Sequence, residues 1–189
     1  PNMCGPRVFY YNKDLLKKNG AKDPIDDLGG KWTWNDMVEI MQRCAQDTNG
    51  DGKIDTWGWH LAYTGLEECY TPFAWTSGTD RADYQQMKYT YDKPEFIKIC
   101  EMIEKWVKAP KSFVMPLEVG KEFQQLGLLN PISSGQVGFF YRATPNIHAI
   151  RQEVGKKFKW GLAPMPAMDK DHPGVTLIAG NPTIMYYKT

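Results

Sequence analysis

Residues 33–59, TWNDMVEIMQRCAQDTNGDGKIDTWGW, constrain the fold more than any other stretch, because helix, turn and strand signals follow one another there without a gap. Met37, Ile40, Met41 and Cys44 recur at i, i+3, i+4 and i+7, the period of one helix face. Thr33 and Asp36 stand in the relation of a capping box, with Asp where Glu or Gln is usual. DTNGDGKID then supplies a turn, and TWGWHLAY (56–63) alternates as a strand. A capped amphipathic helix therefore feeds a strand through a short loop, which points to an α/β chain.

The loop has chemistry of its own. Asp47, Asn49, Asp51, the Lys53 carbonyl and Asp55 match positions 1, 3, 5, 7 and 9 of a calcium loop, with Gly52 at position 6. Position 12, where a bidentate Glu closes such a site, is Gly58. Calcium at 47–55 would need an outside carboxylate or water to complete its shell. In the other reading, the Asp and Asn side chains fold Asx turns without metal. Calcium is the one cofactor the sequence suggests, and none is required.

Elsewhere VFYY (8–11) reads as a strand and NKDLLKKNG as a helix with Leu15 and Leu16 inward, closed by Asn19-Gly20. LEECYTPFAWTSGTD (66–80) reads as a short helix running into a Gly-containing loop, and KYTYD (88–92) as a short strand or extended link. KPEFIKICEMIEKWVKA (93–109) is a second amphipathic helix burying Phe96, Ile99, Cys100, Ile103, Trp106 and Val107. FQQLGLLNPISSG reads as a loop before the strand QVGFFY (136–141). IHAIRQEVGKK (147–157) follows as a helix, FKWGLAPMP (158–166) as a strand, and TLIAGNPTIMYY (176–187) begins another.

Several function classes are excluded by charge and motif. Lys plus Arg number 23 against 22 Asp plus Glu, a net charge of +1, which argues against nucleic acid or an anionic membrane as the main partner. No apolar run approaches the ~18 residues that a membrane-spanning helix needs. The start, PNMCGPRVFYY, lacks a basic region followed by an apolar core, so the chain is expected to be cytosolic or a piece of a longer precursor. No CxxC pair, HExxH, GxSxG, Walker A or GxGxxG occurs, and His60, His148 and His172 have no zinc spacing. Glu67 and Glu68 are adjacent and would not face one another on a helix. No active site assembles, so the chain is expected not to be an enzyme. Seven Trp, ten Tyr and eight Phe are more aromatic side chains than a core of this size needs. Aromatic faces in clefts bind the apolar faces of sugars.

Taken in order, YYNKDLLKKNG, the Trp-Thr-Trp helix start, DTNGDGKIDTWGW, FAWTSGTD, YDKPEFIKICEMIEKWV, SSGQVGFF, KWGLAPMP and IAGNPTIM resemble the extracellular solute-binding proteins of ABC importers, in their sugar-binding group. The resemblance covers nearly the whole chain. It implies a periplasmic-binding-protein-like lobe of type II class: an α/β fold with a mixed sheet flanked by helices. It implies that residues 1–9 are a hinge-crossing segment, 10–177 the C-terminal lobe, and 178–189 a return crossing toward a second lobe.

It also implies a carbohydrate ligand, an oligosaccharide, held between two lobes for a membrane permease. The protein would be a monomer with no nucleic-acid partner, at the extracellular face or in the periplasm, lipid-anchored in its full-length form. Matching motif to motif gives Glu68, Tyr70 and Trp75 as ligand contacts. Beyond the QVGFF strand the nearest counterpart of the expected aromatic is Pro145, which leaves Tyr141 or Arg142 for the role. Two other readings remain: a carbohydrate-active hydrolase using two of Glu67, Glu68, Asp80 and Asp83, with carboxyls about 5–10 Å apart, or a calcium-stabilised interaction module.

Overall fold

The computed structural model describes residues 4–61, 70–125, 127 and 130–180. Its centre is a mixed sheet organised around one long strand, β1 (Cys4–Asn12). Strand β5 (Val137–Ala143) lies antiparallel along one side of β1, with Phe9 opposite Tyr141. Along the other side, β6 (Trp160–Ala163) pairs with the second half of β1, and β7 (Ile178–Gly180) pairs with its start. Strand β2 (Trp57–His60) runs parallel to β5, and a bridge between Trp59 and Val114 extends the sheet beyond β2. A separate two-stranded hairpin, β3 (Ala82–Asp83) with β4 (Lys88–Tyr89), stands off this sheet.

Each helix follows from local chemistry. Asn12 ends β1 and caps α1 (Lys13–Lys18), its side-chain oxygen accepting from the Leu15 N–H at 2.9 Å. Helix α2 (Trp34–Cys44) starts with a complete capping box: the Thr33 hydroxyl accepts from the Asp36 N–H, and the Asp36 carboxylate accepts from the Thr33 N–H at 2.8 Å. Its predicted stripe, Met37, Ile40, Met41 and Cys44, is buried. Helix α3 (Thr71–Thr76) is short, and α4 (Pro94–Lys108) has Pro in its first turn, where the missing N–H is not needed. Of the expected inner face of α4, Phe96, Ile99 and Ile103 are buried, while Cys100, Trp106 and Val107 are half-buried.

Helix α5 (Leu117–Gln125) occupies a stretch whose end, FQQ, the sequence suggested as loop. It anchors only Gly120 and Phe123 in the core, too few buried positions to show a period. Helix α6 (Ile147–Val154) stops short of the expected Lys157 because Gly155 takes φ +54°, a left-handed stop.

The sheet is buried on both faces. One face carries Phe9, Tyr11, Trp59, Phe139 and Tyr141 beneath α2 and α4. The other carries Tyr10 and Phe140 beneath α6, next to Trp57 and Val137 beneath α5. Two-sided burial explains why β1 and β5 read as near-continuous apolar runs rather than alternating ones. It also accounts for much of the aromatic content: Phe9 meets Trp32 edge-on at 5.6 Å, and Trp32 stacks on Phe139 at the same distance. These rings are core, not cleft. Helix α2 and β2 pack so closely that a Cβ on Gly58 would lie 2.1 Å from the Met41 carbonyl oxygen.

Candidate ligand-binding site

Strand directions locate the site. β2, β5, β6 and β7 all run opposite to β1, so their carboxyl ends share one edge of the sheet. In open α/β sheets ligands lie in the crevice outside the carboxyl ends of the strands. At that edge stand Leu61 after β2, the start of α5, Arg142 at the end of β5 with Thr144 to Asn146 after it, and the connector 164–177 between β6 and β7. The opposite edge carries the 47–55 loop, Asn12, Gly135 and the Lys156–Lys159 run. The two poles are thus the two ends of the strands.

Hydrogen bonds stitch the carboxyl edge to the start of β1. The Thr176 hydroxyl donates to the Arg7 carbonyl at 2.7 Å, so the Tyr141 hydroxyl, 2.6 Å from the same Thr176 oxygen, must be its donor. The Arg7 N–H donates to the Leu177 carbonyl at 2.9 Å. From the other face, the Tyr10 hydroxyl reaches the Ala143 and Thr144 carbonyls at 3.1 and 3.2 Å. Burial pushes that phenol up to about 12. The Thr76 hydroxyl, at the end of α3, accepts from the Val175 N–H at 3.0 Å and ties α3 to the connector.

The residues suggested by sequence separate into different environments. Glu68 lies outside the described residues. Tyr70, at the start of α3, is half-buried and packs against the main core. Trp75 is half-exposed although its neighbours Phe73, Ala74 and Thr76 are buried. Tyr141 is only 4% exposed, lies 4.9 Å from Phe9, and has its hydroxyl engaged by Thr176. Arg142 points to the opposite face of β5 from Tyr141 and is half-buried at the crevice end of the strand. Tyr70, Trp75 and Arg142 therefore share the carboxyl edge, whereas the Tyr141 ring is part of the core behind it.

His60, which has no zinc spacing in the sequence, joins this edge. It ends β2 on the same face as Phe140, its ring 5.3 Å from that phenyl. Its Nδ1 is buried without a hydrogen-bond partner. Burial first, and then the positive charge of Arg142, lower its pKa to about 4, so the ring is neutral at pH 7. No spacing motif could have marked it. The signal lay in the strand register, two residues from Arg142 along one face.

The 47–55 loop is far from this edge and holds itself together. Asp47 accepts from the Gly50 and Gly52 N–H groups at 2.7 and 2.8 Å. Asn49 accepts from the Asp51 N–H, and Asp51 from the Lys53 N–H, each at 2.8 Å. Asp55 accepts from the Thr48 hydroxyl and N–H, and those bonds, the hydroxyl first, hold its carboxyl below the usual range. These are Asx turns. Among the described residues, no three His, Cys, Asp or Glu side chains are grouped to hold a metal ion. The closing Glu of a calcium loop is absent for a packing reason, since position 58 admits no side chain beside Met41.

The two described carboxylates of the hydrolase reading also serve turns. Asp80 accepts from the Arg81 N–H at 2.6 Å, and Asp83 from the Gln85 and Gln86 N–H groups. Glu67 and Glu68 lie outside the described residues.

Comparison with known proteins shows which folds this one resembles. The fold superposes on UspC of M. tuberculosis with a TM-score of 0.71 at 20% identity, over 95% of this chain and 46% of that one. The maltose/maltodextrin-binding domain MalE of Bdellovibrio bacteriovorus, bound to maltotriose, gives 0.69 at 17% identity, over 94% and 41%. An ABC substrate-binding protein of Listeria monocytogenes in complex with cycloalternan gives 0.66 at 20% identity, over 88% and 38%. The present chain thus spans less than half the length of each of these proteins. A comparison with curated protein sequences returned no match. The family model for bacterial extracellular solute-binding proteins matches residues 1–189, and the chain belongs to that family.

Proposed function

We propose that this chain is one lobe of the substrate-binding component of an ABC importer, and that the whole protein captures a carbohydrate, an oligosaccharide, for a membrane permease. The observation that carries the reading is the family match across residues 1–189. The position of Tyr70, Trp75, Arg142 and His60 at the carboxyl edge supports it, as do the maltotriose and cycloalternan complexes of similar structures. Glu68 and Tyr141 complete the proposed contact set, Tyr141 by holding Phe9 and Thr176 in place behind Arg142. Trp75 and Tyr70 would stack on sugar rings, and Arg142 would fix hydroxyls.

In this reading β1 and β7 enter and leave at the edge that faces a second lobe, and the lobes close by hinge motion. Binding involves no chemical step and needs no cofactor. Calcium at 47–55 would at most stiffen a connector, so chelation is expected to leave sugar affinity unchanged.

The test is thermal denaturation of the full-length protein against mono- and oligosaccharides, with the sugar recovered and analysed afterwards. A rise in Tm with unchanged sugar is the expected result. Release of new reducing ends would replace the importer reading with a hydrolase.

A further inference from the structure

The hairpin β3–β4 is unusual for what it leaves in water. Tyr84 is 61% exposed, Met87 86% and Tyr89 77%. Because Ala82 pairs with Tyr89 and Asp83 with Lys88, alternation puts Tyr89 on one face and both charged residues of the pairing on the other, while Tyr84 and Met87 stand in the turn between the strands. That face is not loose. Tyr89 stacks on Tyr91 at 5.4 Å and 12°, and Tyr91 meets the buried Phe96 edge-on at 5.3 Å. The column runs from core to solvent and holds one face of the Tyr89 ring outward. Asp83 fixes the tip by accepting from the Gln85 and Gln86 backbone N–H groups at 3.0 and 2.9 Å.

Its place in the fold follows from chain direction. Helix α4 leads into Phe113–Met115, which runs parallel to β2, so the first turn of α4 lies at the carboxyl edge. The hairpin joins that first turn through Lys93, whose N–H donates to the Thr90 carbonyl. Its other end follows α3, which the Thr76–Val175 bond ties to the connector at the same edge. The exposed rings thus stand at the pole of the ligand crevice.

Two properties select the occupant. The three exposed side chains present on the order of 400 Å², about half of the ~800 Å² that each partner contributes to a stable protein interface. Asp83 and Lys88 also lie on the face opposite Tyr89, whereas an anionic surface would require positive charge beside the ring. Flat, exposed phenol rings suit the apolar faces of neutral sugar rings.

Resting on the function proposed above, we propose that this hairpin is an outer aromatic platform that engages the distal rings of a long oligosaccharide whose inner rings sit in the crevice. The ligand is then a chain of several sugar units, and Tyr84 and Tyr89 set a preference for length.

The test uses the full-length protein and the variant Y84A/Y89A, titrated calorimetrically with a homologous oligosaccharide series from two to seven units. Both substitutions are at exposed positions, and Tm measured alongside checks that folding is retained. The expected result is an unchanged Kd for the shortest binder and a ~10-fold weaker Kd for the longest, about one stacked ring's contribution. Equal affinities of variant and wild type at every length would overturn the platform and leave the importer reading intact. Equal weakening at every length would also overturn it, by making the hairpin part of the inner site. Wild-type protein that binds no sugar of any length would overturn both.

Discussion

At the residue scale, His60 gives the most direct prediction. An unfolded chain takes up a proton on this ring at its ordinary pKa of 6.5, whereas the folded chain resists until about 4. The contribution of His60 to stability is therefore full above pH 6.5 and falls as pH drops from 6.5 to about 4, by about 3 kcal/mol at the lower limit. Arg142 faces the ring and shares in this penalty, after burial. Urea denaturation at several pH values should show His60→Gln to be less sensitive than wild type across this window. Parallel slopes for the two proteins would refute the assignment. Single residues were also where the sequence was hardest to read. Tyr141 and Arg142 are neighbours with opposite fates, because consecutive strand residues face opposite sides and the sequence does not say which side is core. Gly58 could be seen to lack a calcium ligand, but the reason, the Met41 carbonyl against it, exists only in three dimensions.

At the scale of elements, α2 illustrates agreement among levels. Capping, periodicity and turn chemistry all mark its limits, and the helix has those limits. Thr33→Ala removes the hydroxyl of the capping box, and a loss of about 1 kcal/mol is expected. This should appear as a Tm lower by ~2–4 °C. No change in Tm would mean that tertiary packing alone sets the start of the helix. Where α2 was legible, α5 was not, because its core contacts are few and Gly120 interrupts it beside His60 and Met115. The β3–β4 hairpin was legible only as a short extended piece at 88–92. Its pairing depends on an Asx turn at Asp83 and on Met87 at φ +53°, a conformation a non-glycine sequence does not announce.

For the whole molecule, the sequence pattern conveyed the mixing of helices and strands and the family resemblance implied the mixed sheet, while strand order awaited the structure. The chain spans less than half the length of the similar structures, and under the proposed function its carboxyl edge is one wall of a site. Calorimetry on these residues alone should find sugar affinity at least ~100-fold below that of the full-length protein, a difference of about 2.7 kcal/mol. Micromolar binding by the isolated chain would show that one wall suffices.

The central position of β1 has a consequence for how the protein comes into being. The groups that satisfy this strand lie far along the chain from it: Tyr10 bonds across 133 residues and Arg7 across 169. Such separations make folding slow, since the ends must be brought together before any contact rewards the loss of freedom. A ribosome must therefore release residues 137–143 before β1 gains its long neighbour β5. Delay of that kind suits a protein destined for the outside of the cell, because a polypeptide that has not yet folded can still be threaded through a membrane.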